Sequence, residues 1–391
     1  MSPTHGEPYA PLAGLRVVAV EQAVAGPLCT RHLADLGADV IKVERPGVGD
    51  FARQFDSMVQ GESTHFVWLN RGKRSIELDL ADGAGARTLN QLLERADVLL
   101  YNLGPGTLER LGFGWDEMHE RRPGLIACSI TGYGQEGPYS DRKAFDALVQ
   151  GESGVMSVTG GESGPAKVGI SVADISGAMY ALAGILAALH ERDRTGQGRL
   201  VEVSMLDCLA EWMMPFVYQE VYTGRAPKRA GARHAMIVPY GPFLASDGVL
   251  VNLAVQNPGQ WQRLCAGVIE RPDLVGDPRF ATNELRVKNR KEFEPIIEAV
   301  LSTMSSKDIK ARLVRSDIPH GQVNTVADLY AHPQLAERGR WFEVESPGGP
   351  ILALASPFTS RGSQAVGRGV PRLGEHTAEI LAELRAGDPG E

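Results

Sequence analysis

Leu15–Glu44, LRVVAVEQAVAGPLCTRHLADLGADVIKVE, decides the fold. Two short β-branched runs, LRVVAVE and ADVIKVE, flank a segment that opens with Gly-Pro, carries apolar residues at helical spacing and stops at Gly37. Proline just inside the start and glycine just past the end are the signals of a helix between two strands, so the stretch predicts a βαβ unit. The alternation continues outward. KRSIELDL (73–80), DVLLYN (97–102) and LIACSITGYG (125–134) read as strands, GARTLNQLLERA (85–96) as a helix, and PGTLERLGFGWDEMHERRP (105–123) as helical. Alternating strands and helices predict a parallel sheet covered on both faces, with ligands at the carboxyl ends of its strands.

Beyond the sheet comes VADISGAMYALAGILAALHERDRTGQG (172–198), with apolar residues at helical spacing from Ile175 to Leu189 and one carboxylate, Asp174, just ahead of them. Two roles are open to Asp174 at this point. It can be the N-cap of the helix, its carboxylate accepting a first-turn backbone N–H. Alternatively, the positive end of the helix keeps it ionised and available as a nucleophile. The strand RLVEVS and a further helix follow, then YTGRAPKRAGAR (222–233), which reads as a linker, and a hairpin across Ser-Asp-Gly in YGPFLASDGVLVNLAV (240–255). Helices are expected from Trp261 to about Leu313, strands in RGRWFEVESPGGPILALASPF, and a last helix at GEHTAEILAELRA.

The whole chain sets bounds on function. At 391 residues it can bury a full core in two domains, and 43% hydrophobic with 23% charged residues is ordinary for a globular protein. The net charge of −8 argues against a nucleic-acid binder. The four cysteines and nine histidines are scattered, with no CxxC or HExxH spacing, so no metal is expected and the cysteines read as reduced. MSPTHGEPYAPLAG has no signal-peptide pattern, and the run from Ile175 to Leu189 is shorter than a bilayer span. A cytoplasmic protein with no membrane attachment is expected.

A dinucleotide site is suggested by Glu44 at the end of the second strand, but the glycine fingerprint is missing, because EQAVAGP stands between the first strand and helix. Arg45, Arg53, Arg71, Lys73 and Arg74 instead recur near predicted strand ends, where they suggest a pocket for a phosphorylated ligand.

Several blocks resemble a known family. They are LRVVAVEQAVAGPLCTRHLADLGADVIKVERPGVGDFAR, LNRGKRSIELDL, ADVLLYNLGPGTLERLGFGWD, SITGYGQEGPYSDRKAFDALVQGESGVMSVTG and VADISGAMYALAGILAALHERDRTGQG. With PYGPFLASDG, NPGQWQRLC, DPRFATNELRVKNR and GQVNTVADLYAHPQLAERG they are similar, in order, to the class III CoA transferases of the CaiB/BaiF type, the family that includes formyl-CoA transferase. The resemblance implies an α/β fold with a Rossmann-like parallel sheet in a large domain, a smaller α+β domain and an interlocked homodimer. The corresponding boundaries are 1–221 for the large CoA-binding part, 222–233 for a linker, 234–322 for the small domain, and 323–391 for a second linker and a C-terminal segment returning to the large domain.

The resemblance also assigns residues. Asp174, with Gly177 after it, occupies the place of the nucleophile, which forms a mixed anhydride with the donor acyl group and then an aspartyl-CoA thioester. CoA contacts fall on Arg45, Leu78, Asn102, Leu103, Gly104, Arg110 and Lys143. Asp146 matches an acidic residue near the nucleophile, and Gln22 and Ala23 in the first loop face the acyl group without a carried-over catalytic role. QNPGQW, around Gly259, falls where the family has a glycine-rich lid, although only one glycine stands there. Arg233 and His234 are candidates for the distal carboxylate of a dicarboxylic acid. The substrates implied are CoA or an acyl-CoA, with succinyl-CoA as donor and a C4 or C5 dicarboxylate such as malate, citramalate, mesaconate or itaconate as acceptor. The alternative is an α-methylacyl-CoA racemase of the same fold. Phe145 stands where a racemase-like histidine would be, and a phenylalanine cannot exchange a proton. A CoA-binding or NAD-binding protein without catalysis is the third reading.

Overall fold

The computed structural model describes residues 9–358 and 368–386. Met1–Pro8, part of the stretch read above for a leader, and 359–367 and 387–391, parts of the C-terminal segment placed at 323–391, lie outside the described residues. The chain divides into two compact units, one formed by Met1–Ser153, Gly169–Met213 and Ala336–Glu391, the other by Gly154–Val168 and Met214–Leu335.

The larger unit is built on six parallel strands: β1 (Arg16–Val20), β2 (Asp39–Glu44), β3 (Arg74–Glu77), β4 (Val98–Tyr101), β5 (Ile126–Thr131) and β6 (Leu200–Ser204). Their order is β3-β2-β1-β4-β5-β6. Helices α1 (Ala25–Asp35), α2 (Thr64–Asn70), α3 (Gly83–Leu93), α4 (Thr107–Arg110), α5 (Trp115–Arg121), α6 (Asp146–Glu152), α7 (Val172–Thr195) and α8 (Met205–Thr223) alternate with them or follow them. The strands are apolar because the sheet is covered on both faces, and Val17, Val18, Ala19, Leu99, Leu100, Ala127 and Cys128 are all buried. The segment 105–123, expected as one helical stretch, is two short helices, because Gly112 takes a left-handed φ of 87° between them.

α7 is longer than the apolar run from which it was inferred. Its 24 residues would by length and composition alone suffice to cross a membrane. It packs instead against α1, β5 and β6, burying Ala178, Ala181, Leu182 and Ile185 as a core helix of the larger unit.

The smaller unit holds β7 (Tyr240–Leu244), β8 (Leu250–Ala254) and β9 (His320–Gln322), an antiparallel sheet with β8 in the centre. β7 and β8 form the expected hairpin, and Gly248 supplies the positive φ of its turn. Phe243, Val251, Trp261, Phe280 and Phe293 meet in its core. Two expectations change here. The helix anticipated near Trp261 starts at Pro258, with Asn257 accepting from the Gln260 N–H, so Gly259 is helical rather than part of a loop. The second linker, expected to begin at 323, contains the helix Val326–Tyr330, opened by a capping box between Thr325 and Asp328.

Candidate active site

The chain leaves β1 toward β2 and β3 on one side of the sheet and continues through β4, β5 and β6 on the other, so β1 and β4 lie at the point where the winding reverses. Ligands of open α/β sheets bind outside the carboxyl ends of the strands at that point. Here the loops after β1 and β4 are tied together. The Asn102 side chain accepts from the Gln22 backbone N–H at 2.8 Å and donates to the Gln22 carbonyl at 2.9 Å. Gly26 opens α1 against both loops, and a Cβ there would lie 2.9 Å from Glu21 Cβ and 3.1 Å from Asn102 Cγ.

Two clefts open over these loops. One, of about 420 Å³, is lined by Gln22, Ala23, Gly104, Lys143, Phe145 and Asp174 among others. The second, of about 330 Å³, is lined by Arg45, Leu78, Asp79 and Leu111. Gln22, Leu103 and Thr107 belong to both walls, so the clefts adjoin. An extended ligand can occupy one with a charged group and present its reactive end in the other.

Asp174 reaches the first cleft from the third residue of α7, which begins at Val172. The N-cap expectation is therefore corrected: Ser171 holds the N-cap position, Asp174 sits three residues further in, and the first-turn amide of Ala173 goes to Asp146. Asp146 Oδ1 accepts from the Ala173 N–H at 2.9 Å, while Gln150 donates to Oδ2 at 2.8 Å. Asp146 is buried and lines neither cleft. Asp146 thus satisfies one amide of the helix terminus, and Asp174, partly exposed in the first turn, lies in the field of the helix. All four cysteines are buried, and burial raises their thiols, Cys128 to about 12 and Cys208 to about 11, so none supplies a thiolate near neutral pH. Among the described residues no cluster of three or more His, Cys, Asp or Glu side chains is arranged to hold a metal.

The other sequence candidates divide. Arg45, Leu78, Asn102, Leu103, Gly104 and Lys143 line one cleft or both. Asn102 does so with its amide already engaged by Gln22. Arg110 lines neither; it is exposed on α4 and donates to Thr107 Oγ1 at 2.9 Å. In the smaller unit, the Arg233 guanidinium is held by Glu294 at 2.6 Å and Glu298 at 2.5 Å and lies over the Phe243 ring. His234 stacks on Tyr240, and burial together with the Arg290 charge lowers its pKa.

Four of the five basic residues read as a phosphate pocket are internal. Arg53 pairs with Glu44, Arg71 with Asp35, Arg74 with Asp39, Glu379 and Glu383, and Lys73 with Glu21. Only Arg45 of that set lines a cleft and is exposed. Sequence reasoning missed the acids and the lysine that complete this interior, Glu21, Asp50 and Lys42. A signal was present: Lys42 interrupts the apolar run of β2, and a lysine buried in a strand requires carboxylates nearby. Lys42 Nζ lies 2.9 Å from Asp50 and 3.4 Å from Glu21. Burial acts to lower its pKa, but the charges of Asp50, Glu21 and Glu44 outweigh it and raise the value. For Lys73 burial prevails over Glu21, bringing the ammonium down to about 8.

Comparison with known proteins identifies the family. The model of CoA-transferase family III matches residues 12–377. Succinyl-CoA:glutarate CoA-transferase of Mus musculus is 35% identical over 97% of this chain and 88% of its own length. Succinyl-CoA:mesaconate CoA-transferase of Haloarcula hispanica is 37% identical over 96% of this chain and 97% of its own. The crystal structure of a CaiB/BaiF family protein from Brucella suis superposes with a TM-score of 0.82 at 36% identity, covering 96% of this chain and all of the other. The chain belongs to CoA-transferase family III and is a CoA transferase, an enzyme that takes CoA thioesters as substrates.

Proposed function

We propose that this enzyme transfers CoA from succinyl-CoA to a C4 or C5 dicarboxylate, with Asp174 as the nucleophile. The observation that carries the reading is that Asp174, at the positive end of α7, lines the same cleft as Gly104 and Lys143, and that this cleft adjoins the one bearing Arg45. Both relatives described above are named for succinyl-CoA and a five-carbon dicarboxylate, which makes glutarate and mesaconate the first acceptors to test beside malate, citramalate and itaconate.

In this mechanism the Asp174 carboxylate attacks the donor thioester carbonyl, the C–S bond breaks and CoA leaves as thiolate. The thiolate attacks the aspartyl carbonyl of the mixed anhydride, releasing succinate and leaving an aspartyl-CoA thioester. The acceptor carboxylate then attacks that thioester, and the thiolate returns to the acceptor carbonyl and frees Asp174. No net proton is consumed, so the cleft needs no general base. Covalent catalysis divides one difficult exchange between two weak electrophiles into easier steps. Lys143 and Arg45 supply positive charge for the CoA phosphates. Phe145, exposed on the wall of the Asp174 cleft, offers no proton acceptor, which disfavours racemisation.

The test is intact-protein mass after mixing with succinyl-CoA. Wild type should gain a CoA or acyl adduct that maps to Asp174, and Asp174→Ala should gain none; an adduct on the alanine variant, or none on wild type, sinks the assignment. We also propose a cytoplasmic homodimer of interlocked chains. Trp212, Tyr218 and Tyr222, exposed along α8, are apolar surface for a second copy to cover. Sedimentation on dilution would expose a dissociating monomer.

A further inference from the structure

Gln22 and Ala23 form the turn where the two clefts adjoin, and Ala23 is held at a φ of 60°, in the left-handed region that L-residues avoid. Something must hold it there. On one side the Asn102 amide clamps Gln22, as described. On the other, Asp50 Oδ1 accepts from the Ala23 N–H at 3.0 Å and from the Ala52 N–H at 2.9 Å. Its second oxygen accepts from Lys42 Nζ at 2.9 Å, and its own N–H donates to Glu44 at 3.0 Å. Lys42 in turn reaches the Glu21 carbonyl at 3.3 Å, and Lys73 ties the Glu21 carboxylate at 2.7 Å. Every charge in this group faces an opposite one, and Lys42, Lys73, Glu21 and Asp50 are all within 2% of full burial.

We propose that Asp50 is a positioning residue for the transfer reaction, acting through the Ala23 N–H to keep the Gln22–Ala23 turn in its left-handed form as the common wall of both clefts. Asp50 edges the second cleft, but its oxygens are used inside the protein, so it works through the turn and not on the ligand. Without its bond, Ala23 relaxes toward negative φ and Gln22 shifts. A thioester extended across both clefts then loses its register with Asp174, and a misplacement of about 1 Å costs on the order of a hundredfold. This rests on Asp174 being the nucleophile.

The experiment is a double-mutant cycle of Asp50→Ala and Ala23→Gly, read as CoA affinity by calorimetry and as kcat/KM for the thioester. Asp50→Ala should lower kcat/KM by roughly tenfold to a hundredfold and weaken CoA binding. Adding Ala23→Gly should recover at least about threefold of that loss, because glycine takes the left-handed conformation without steric cost. A purely structural role for Asp50 predicts no such recovery. A folded Asp50→Ala enzyme with wild-type kinetics, or a double variant no better than Asp50→Ala alone, overturns the proposal. Should Asp50→Ala not fold, Asp50→Asn supplies the test, because its Oδ1 still accepts from the Ala23 N–H while the charge facing Lys42 is lost: kcat/KM should stay within about threefold of wild type, and a folded Asp50→Asn enzyme that loses about tenfold or more overturns the proposal. A wild type that binds CoA but transfers nothing from succinyl-CoA contradicts the donor assignment instead, and the CoA-affinity arm still decides the role of Asp50.

Discussion

Two sets of charged side chains in the larger unit behave in opposite ways. Beneath the Gln22–Ala23 turn, Glu21, Lys42, Asp50 and Lys73 are buried and mutually paired. At the cleft mouths Arg45 and Lys143 are exposed, and among the described residues no carboxylate forms an ion pair with either. The difference separates shape from affinity. Buried pairs cost desolvation that their mutual attraction offsets only with good geometry, so they fix a backbone and are expensive to break. Unpaired surface cations are cheaply held and remain available for an anionic ligand. Asp174 stands between the two sets, partly exposed like the cations but held on a rigid helix.

The largest expected effect breaks the chemistry without touching either set. Asp174→Ala should lower turnover by at least about 10⁴-fold with the melting temperature little changed, since no covalent route remains. Next comes the interior. Lys73→Met keeps much of the side-chain volume but leaves the buried Glu21 carboxylate only the Thr30 hydroxyl and the more distant Lys42 ammonium, and urea denaturation should reveal a loss of roughly 3 kcal/mol. A loss below about 1 kcal/mol would mean that water or a rearranged Lys42 compensates, and the contrast with the surface cations would then be weaker than drawn.

A third test uses pH. Burial alone would raise Glu44, but the Arg53 bond, the Lys42 and Arg53 charges and the Ser75 hydroxyl together bring it down to about 2. A depressed acid contributes stability that is present above its unfolded pKa of 4.5 and lost as pH falls from there toward 2, up to about 3 kcal/mol. His32 adds to the slope from higher pH. Burial, then the Arg31 and Arg71 charges, lower it to about 3, so the unfolded chain takes up a proton below 6.5 that the folded one refuses. Stability should therefore decline from about pH 6.5 downward and more steeply below 4.5. A flat profile between pH 6 and 3 would contradict the paired interior.

The sheet was legible because its signals are local: β-branched runs, Gly37 at a helix end, and alternation that admits few topologies. Of the candidate site, the sequence brought out a set of residues that the fold does gather: Asp174 and most of the CoA candidates line two adjoining clefts. What stayed hidden depends on residues far apart in sequence. Nothing near Asp174 reveals that Asp146, 27 residues before Ala173, takes the helix amide. Equally, Arg53, Arg71 and Arg74 read as ligand cations because Glu44, Asp35 and Asp39 become their partners only through strand pairing and packing. Charge counts identify cations and not which of them are already paired.

The smallest effect tests that last point directly. Arg45→Ala and Lys143→Ala should each raise KM for the CoA thioester roughly tenfold while kcat stays within about twofold, the signature of binding shared by ground and transition states. Arg110→Ala is the control that gives the pair meaning. Arg110 is equally exposed, but lines neither cleft and bonds its neighbour Thr107. If availability of charge were sufficient, all three substitutions would weaken binding alike; if placement on the cleft wall decides, Arg110→Ala should change KM by less than about threefold. Raising ionic strength should narrow the gap between wild type and the Arg45 and Lys143 variants, because exposed charges are screened, while the Lys73→Met stability loss persists. Equal salt sensitivity in both measurements would mean that the interior charges reach solvent, and the division between shape and affinity would have to be redrawn around Asp50 alone.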